Sequence, residues 1–177
     1  MLSLDPADQN VRIGNMATVS LNISGLGSGT APSLGGFMLG INYNPSIVVF
    51  DSLAFGPYLG DPTLGDAAVS FDATTAGVVK LDEVSFLSTQ ALDDLQGSNF
   101  MLATLIFKGL DAGTSSLLLT DVDLGDAGGV PLPYEGLENG QITVTQGPVV
   151  PEPATVSLLG LGIVGFLWHA RKQRKAE

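Results

Sequence analysis

This sequence predicts an all-β sandwich or jelly roll of eight or nine strands, followed by one C-terminal transmembrane helix. Three observations carry that expectation. Short stretches in which apolar and polar residues alternate recur along residues 1–145, the mark of strands with one buried face. Gly and Pro clusters separate them, with 23 glycines and 10 prolines in 177 residues. Charge is also segregated: residues 1–150 hold three bases (Arg12, Lys80, Lys108) against sixteen acids, and residues 151–177 hold four bases against two acids. The body is therefore at −13 and the tail at +2, two segments with different physical tasks.

The elements follow in order. Val19, Leu21 and Ile23 alternate with Thr18, Ser20 and Asn22. Phe37, Leu39, Ile41 and Tyr43 alternate with Met38, Gly40 and Asn42. Strands are also expected over residues 47–53, 67–71, 78–84 and 116–124. Residues 89–95 read as one short helix, since Ala, Leu and Gln meet there without Gly or Pro. Met101, Ala103, Leu105 and Phe107 are expected on one face, with Thr104 and Lys108 on the other. Ile142 and Val144 close the pattern, alternating with Thr143 and Thr145. Turn signals stand between the strands at Gly35-Gly36, Asn44-Pro45, Gly56-Pro57, Gly113-Thr114, Gly128-Gly129 and Asn139-Gly140. Regular short strands with many turns favour a sandwich over a parallel α/β fold. About 140 residues suffice for a core without disulfides.

Residues 146–153 form a Pro-rich spacer, and residues 154–170 carry no Asp, Glu, Lys or Arg. As a helix the latter would be roughly 25 Å long, at the short end of what spans a bilayer core. Gly160, Gly162 and Gly165 would weaken a soluble helix but are tolerated in a membrane span. Residues 171–177 follow, with Arg171, Lys172, Arg174 and Lys175. By the positive-inside rule this basic end stays in the cytoplasm and the acidic body lies across the membrane. Export of the body calls for an N-terminal signal, yet residues 1–10 have neither a basic nor an apolar region, so the start is expected upstream of Met1.

Composition removes several function classes. The absence of cysteine excludes disulfides, thiolate metal sites and cysteine nucleophiles. The single histidine, His169, sits beside the tail's basic cluster, which excludes a serine triad in the body. A net charge of −11 leaves no nucleic-acid groove. No catalytic residue and no enzymatic activity are expected. The best metal candidate is Asp121, Asp123 and Asp126, whose carboxylates are suited to Ca²⁺. Their spacing does not fit an EF-hand loop, and a solvated strand face with an Asp-Gly turn is the simpler reading, so no cofactor is assigned. Asp61, Asp66, Asp93 and Asp94 read as solvating loop charge. Tyr58 and Tyr134 are the few aromatics placed to stack on a sugar, with turn packing the simpler role for both.

Pro151-Glu152-Pro153, then the short apolar stretch, then the Arg/Lys cluster together resemble the PEP-CTERM sorting signal of exopolysaccharide-producing Gram-negative bacteria. The resemblance implies recognition by an exosortase. It implies a transient anchor in the inner membrane with the body in the periplasm, then cleavage near the motif and delivery to the cell surface or extracellular matrix. Pro151, Glu152 and Pro153 are then substrate positions for another enzyme. The body resembles a cohesin-like domain over roughly residues 10–145. The likeness rests on MATVSLNI at 16–23, GGFMLGINYNPSIVVF at 35–50, ATLIFKGLDAG at 103–113, and Asn139-Gly140 leading into Gln141-Ile142-Thr143-Val144. It implies a jelly-roll fold and a non-catalytic binding or adhesion face, with a protein or polysaccharide partner in the matrix. A calcium-dependent carbohydrate-binding module and a structural matrix component without a specific partner are the alternatives.

Overall fold

The computed structural model describes residues 1–147. Among them lie eleven strands and one helix: β1 (Leu2–Asp5), β2 (Asp8–Arg12), β3 (Met16–Ser24), β4 (Leu34–Asn42), β5 (Val48–Phe55), β6 (Ala67–Asp72), β7 (Val78–Ser85), α1 (Thr89–Leu95), β8 (Asn99–Gly109), β9 (Gly113–Asp126), β10 (Leu137–Glu138) and β11 (Gly140–Thr145). They form two sheets, ordered β10-β1-β3-β8-β5 and β2-β11-β9-β4-β7-β6. Met1–Gln146 is one compact unit.

Alternation builds the core. Ala17, Val19, Leu21 and Ile23 of β3 face Phe37, Leu39 and Ile41 of β4 and Val79 and Leu81 of β7 across the sandwich. Phe107 sits at its centre, edge-on to Tyr43 at 5.4 Å and to Phe50 at 6.0 Å. The helix spans Thr89–Leu95, as its composition predicts, and Ser88 caps it by accepting from the Ala91 amide at 3.3 Å.

The structure corrects two expectations. Eleven strands replace eight or nine, because β1, β2 and the two-residue β10 add to the alternating set. β2 is a mostly polar edge strand paired in parallel with β11, and its single inward apolar residue, Val11, makes no alternating pattern to betray it. Met101 does not share the face of Ala103. A bulge in β8 sets Met101 opposite Asn22, while Phe100, Leu102 and Ala103 are all buried. No described helix is long and apolar enough to cross a membrane. The expected transmembrane helix at 154–170, the Pro-Glu-Pro positions and the basic tail lie outside the described residues.

The two ends of the sandwich differ. β11 runs toward the pole where Thr145 lies beside Arg12 and where β9 begins at Gly113. Residues 13–15, 43–47, 73–77 and 110–112 make the loops of this exit pole, from which the chain continues toward residue 147. Residues 25–33, 56–66, 86–98 and 127–136 make the opposite, far pole.

Candidate binding face

The outer surface of the β6-β7-β4-β9 sheet is the part of the body best shaped for a partner. Strand pairing places Ser70, Asp82, Met38 and Asp123 in one row across the four strands. Met38 is 53% exposed, with Asp82 and Asp123 as its two cross-strand neighbours. Cross-strand neighbours of this kind stand about 5 Å apart at Cβ, so a bare thioether is held between two carboxylates. Asp82 is oriented by the Ser70 hydroxyl, which donates to it at 2.9 Å.

The rows on either side are floored by glycine. Gly36 pairs with Val84 and Gly125, and Gly40 pairs with Lys80 and Thr120. Side chains are missing on both sides of Met38 along β4, but Gly40 is buried beneath the Thr120 side chain, so the sheet is open on the Gly36 side. An open cavity of about 500 Å³ results, lined by Gly36, Met38, Asp82, Val84, Asp123 and Gly125. Gly35, just before it, is packed so closely that a Cβ would lie 2.3 Å from the Asp126 carbonyl oxygen. This glycine lets the β9 end and its loop close over one wall of the groove.

The sequence-derived aspartate cluster does not converge. β9 bulges against β4 between Thr120 and Asp123, and Asp121 takes up the extra residue with φ +52°. Asp123 joins the Met38 row instead. Asp126 is spent on its own turn, accepting from the Gly128 and Val130 amides at 2.8 Å each. Among the described residues no group of three or more acidic or histidine side chains gathers to hold a metal ion. Asp61 and Asp72 form twin Asp-x-Thr turns. In each, the carboxylate accepts from the threonine hydroxyl at 2.7 Å and its amide at 2.8 Å, which holds both pKa values below the usual range.

The two tyrosines are placed differently. Tyr58 is half-buried and packs against Phe100, with ring centroids 5.0 Å apart and the rings tilted by 36°. Tyr134 is 40% exposed in a far-pole loop. The Met38 row was missed in the sequence, where Met38 counted only as the polar-phase residue of its strand. The signal available was three glycines, Gly36, Gly40 and Gly125, at outward positions of neighbouring strands. That signal is meaningful only once the strand order is known.

A family model described as the PEP-CTERM protein-sorting motif matches residues 149–172. The chain therefore carries a PEP-CTERM sorting motif at its C-terminal end. No curated protein matches the chain. Among solved structures, the body is similar to the sixth cohesin of Acetivibrio cellulolyticus scaffoldin B, solved with a Cel5 dockerin variant. That match has 14% identity and TM-score 0.64, covering 81% of this chain and 97% of that one. It is similar to the cohesin of a Clostridium thermocellum type I cohesin–dockerin complex, Coh-OlpC–Doc435, at 12% identity and TM-score 0.65, covering 82% and 94%. It is also similar to a non-cellulosomal cohesin from the archaeon Archaeoglobus fulgidus, at 11% identity and TM-score 0.63, covering 82% and 91%. The body thus has a cohesin-like fold.

Proposed function

We propose that this is an exported, non-catalytic surface or matrix protein, sorted and cleaved by an exosortase and carrying a cohesin-like binding module. The observation that carries the reading is the sorting motif at 149–172, set four residues after β11 ends at Thr145. The tail inserts in the inner membrane through residues 154–170 with Arg171, Lys172, Arg174 and Lys175 inside. It presents Pro151, Glu152 and Pro153 to the exosortase, and cleavage frees the body. Intact-mass spectrometry of the protein from native cells is expected to find a C-terminus near residues 150–154. A full-length mass retaining residues 171–177 overturns the processing step. Deleting residues 151–177 is expected to abolish surface delivery.

In this reading the partner is a protein that covers the Met38 row. Two of the similar cohesins were solved with dockerins bound, and this chain offers an open apolar centre between two acids. Truncating or reversing such a centre commonly costs a tenfold or greater loss of affinity. Met38→Arg with Asp123→Lys is expected to weaken saturable binding to the matrix protein fraction about tenfold or more. Folding should be nearly unchanged, since both side chains are exposed. Binding that is never saturable would favour a structural matrix component.

A further inference from the structure

The two poles of the sandwich differ in charge as well as in position. The far-pole loops, with Asp126 where β9 meets the last of them, carry Asp61, Asp66, Asp93, Asp94, Asp126 and Glu135, and no base. The exit pole holds two of the body's three bases. Arg12 ends β2 beside Thr145, and Lys108 stands on β8 between Met16 and Val49. Against them stand Asp111 in the loops and Asp51 on β5, while Asp72 at the end of β6 is set opposite the third base, Lys80. Both bases are exposed, and neither makes an ion pair among the described residues.

The same pole exposes apolar side chains. Ile13 is 42% exposed, Met16 49%, Leu110 45% and Val49 38%. They are neighbours. The Ile13 amide donates to the Thr145 carbonyl at 3.0 Å, and the Gly14 amide to the Gly109 carbonyl at 2.8 Å, which brings residues 13–14 against the turn carrying Leu110. Met16, Lys108 and Val49 form one cross-strand row on the outer face of the other sheet. Apolar residues interleaved with bases are what a phospholipid headgroup layer takes up: the chains enter the interface and the cations meet phosphate.

The chain's own course says which surface this pole meets. Eight residues, 146–153, separate Thr145 from the apolar stretch that begins at Ala154. Fully extended they reach at most about 30 Å. While the tail is inserted, the exit pole cannot leave the neighbourhood of the bilayer. Surface charge acts over roughly 8–10 Å in physiological salt, so an all-acidic far pole is repelled from lipid phosphates at close approach and the near-neutral, base-bearing pole is not.

We infer that the exit pole, through Ile13, Met16, Leu110, Arg12 and Lys108, is a membrane-docking surface for anionic phospholipid headgroups. It seats the body upright on the bilayer until the spacer is cut. This rests on the proposed insertion of the tail. It gives the acidic far pole its direction, away from the membrane.

The absence of cysteine makes a clean test available. Full-length chain bearing Asn15→Cys at the exit pole or Leu64→Cys at the far pole is labelled with a fluorophore. It is then reconstituted in phosphatidylethanolamine–phosphatidylglycerol vesicles containing headgroup-nitroxide lipid. Both positions are exposed, so neither label disturbs the core. The expected result is co-flotation with vesicles and quenching severalfold stronger at position 15 than at position 64, lost on Arg12→Glu with Lys108→Glu. Co-flotation with equal quenching at the two poles, or quenching at position 15 that survives the charge reversal, overturns the docking surface alone. Failure to float overturns the tail insertion and the docking surface with it.

Discussion

Glu83→Gln is expected to make the protein more stable at pH 8 by up to about 3 kcal/mol, and to leave it nearly unchanged at pH 4.5. Glu83 faces inward from β7, between Val69 of β6 and Phe37 of β4, and has no exposed surface. Neither of its carboxyl oxygens has a hydrogen-bond partner. Burial alone therefore raises its pKa, from an ordinary 4.5 to about 7. The sign follows from proton counting. Between pH 4.5 and 7 the folded state holds a proton that the unfolded chain has released, so stability falls as pH rises through that window. It levels off above the folded pKa, where both states are ionised. Glutamine has nearly the same shape and no charge to desolvate, so the slope disappears. Asp61 and Asp72 act in the opposite sense and elsewhere: their lowered pKa values give a contribution lost only as pH falls below the usual carboxylate range. Urea unfolding of both proteins from pH 4.5 to 8 checks this. Parallel curves for the two would mean that Glu83 finds a partner or water when ionised.

Glu83 also marks what the sequence could and could not disclose. In VVKLDEV, alternation from Val79 and Leu81 points Glu83 inward, while its charge argues for the surface. Pattern and chemistry conflict there, and only the packed structure resolves them in favour of the pattern. Strands with one wet face were legible because their period is fixed by the pleat, as β3 and β4 show over nine residues each. β2 was not, because Val11 is its one apolar residue, too little to show alternation, and its pairing comes from β11, more than 130 residues later. Met101 was misplaced because a bulge is a property of two strands together. The sorting tail was legible for a different reason: its three parts are local in sequence and need no fold to be recognised. The Met38 row is the reverse case. Its acids and glycines come from β4, β7 and β9, and meet only through strand order.

Gln96 is a second residue that only the fold makes important, and its loss is expected to be severe. It follows α1 and is buried. Its side-chain oxygen accepts from the Leu34 amide at 2.7 Å, and its amide nitrogen donates to the carbonyls of Leu34 at 2.8 Å and Tyr58 at 3.0 Å. One side chain thus does for Leu34 what a neighbouring strand would do, 62 residues away in sequence. It also ties down the 56–66 loop through Tyr58. Gln96→Ala strands three backbone groups in a site closed to water and leaves a cavity. At about 1–3 kcal/mol for each unsatisfied group, partly relieved by entering water, a loss of about 3–5 kcal/mol is expected in urea unfolding. Gln96→Glu separates hydrogen bonding from packing. Its volume is unchanged, but an ionised carboxylate would face two carbonyls it cannot serve. It should therefore be at least as damaging as alanine at pH 7 and recover stability as pH falls and the carboxyl gains a proton to donate. If Gln96→Glu behaved like wild type at pH 7, the three hydrogen bonds would not be what holds the start of β4. The groove floored by Gly36 begins two residues beyond Leu34, so the same variants should also weaken binding at the Met38 row. Met38→Arg with Asp123→Lys, by contrast, should weaken binding without touching stability.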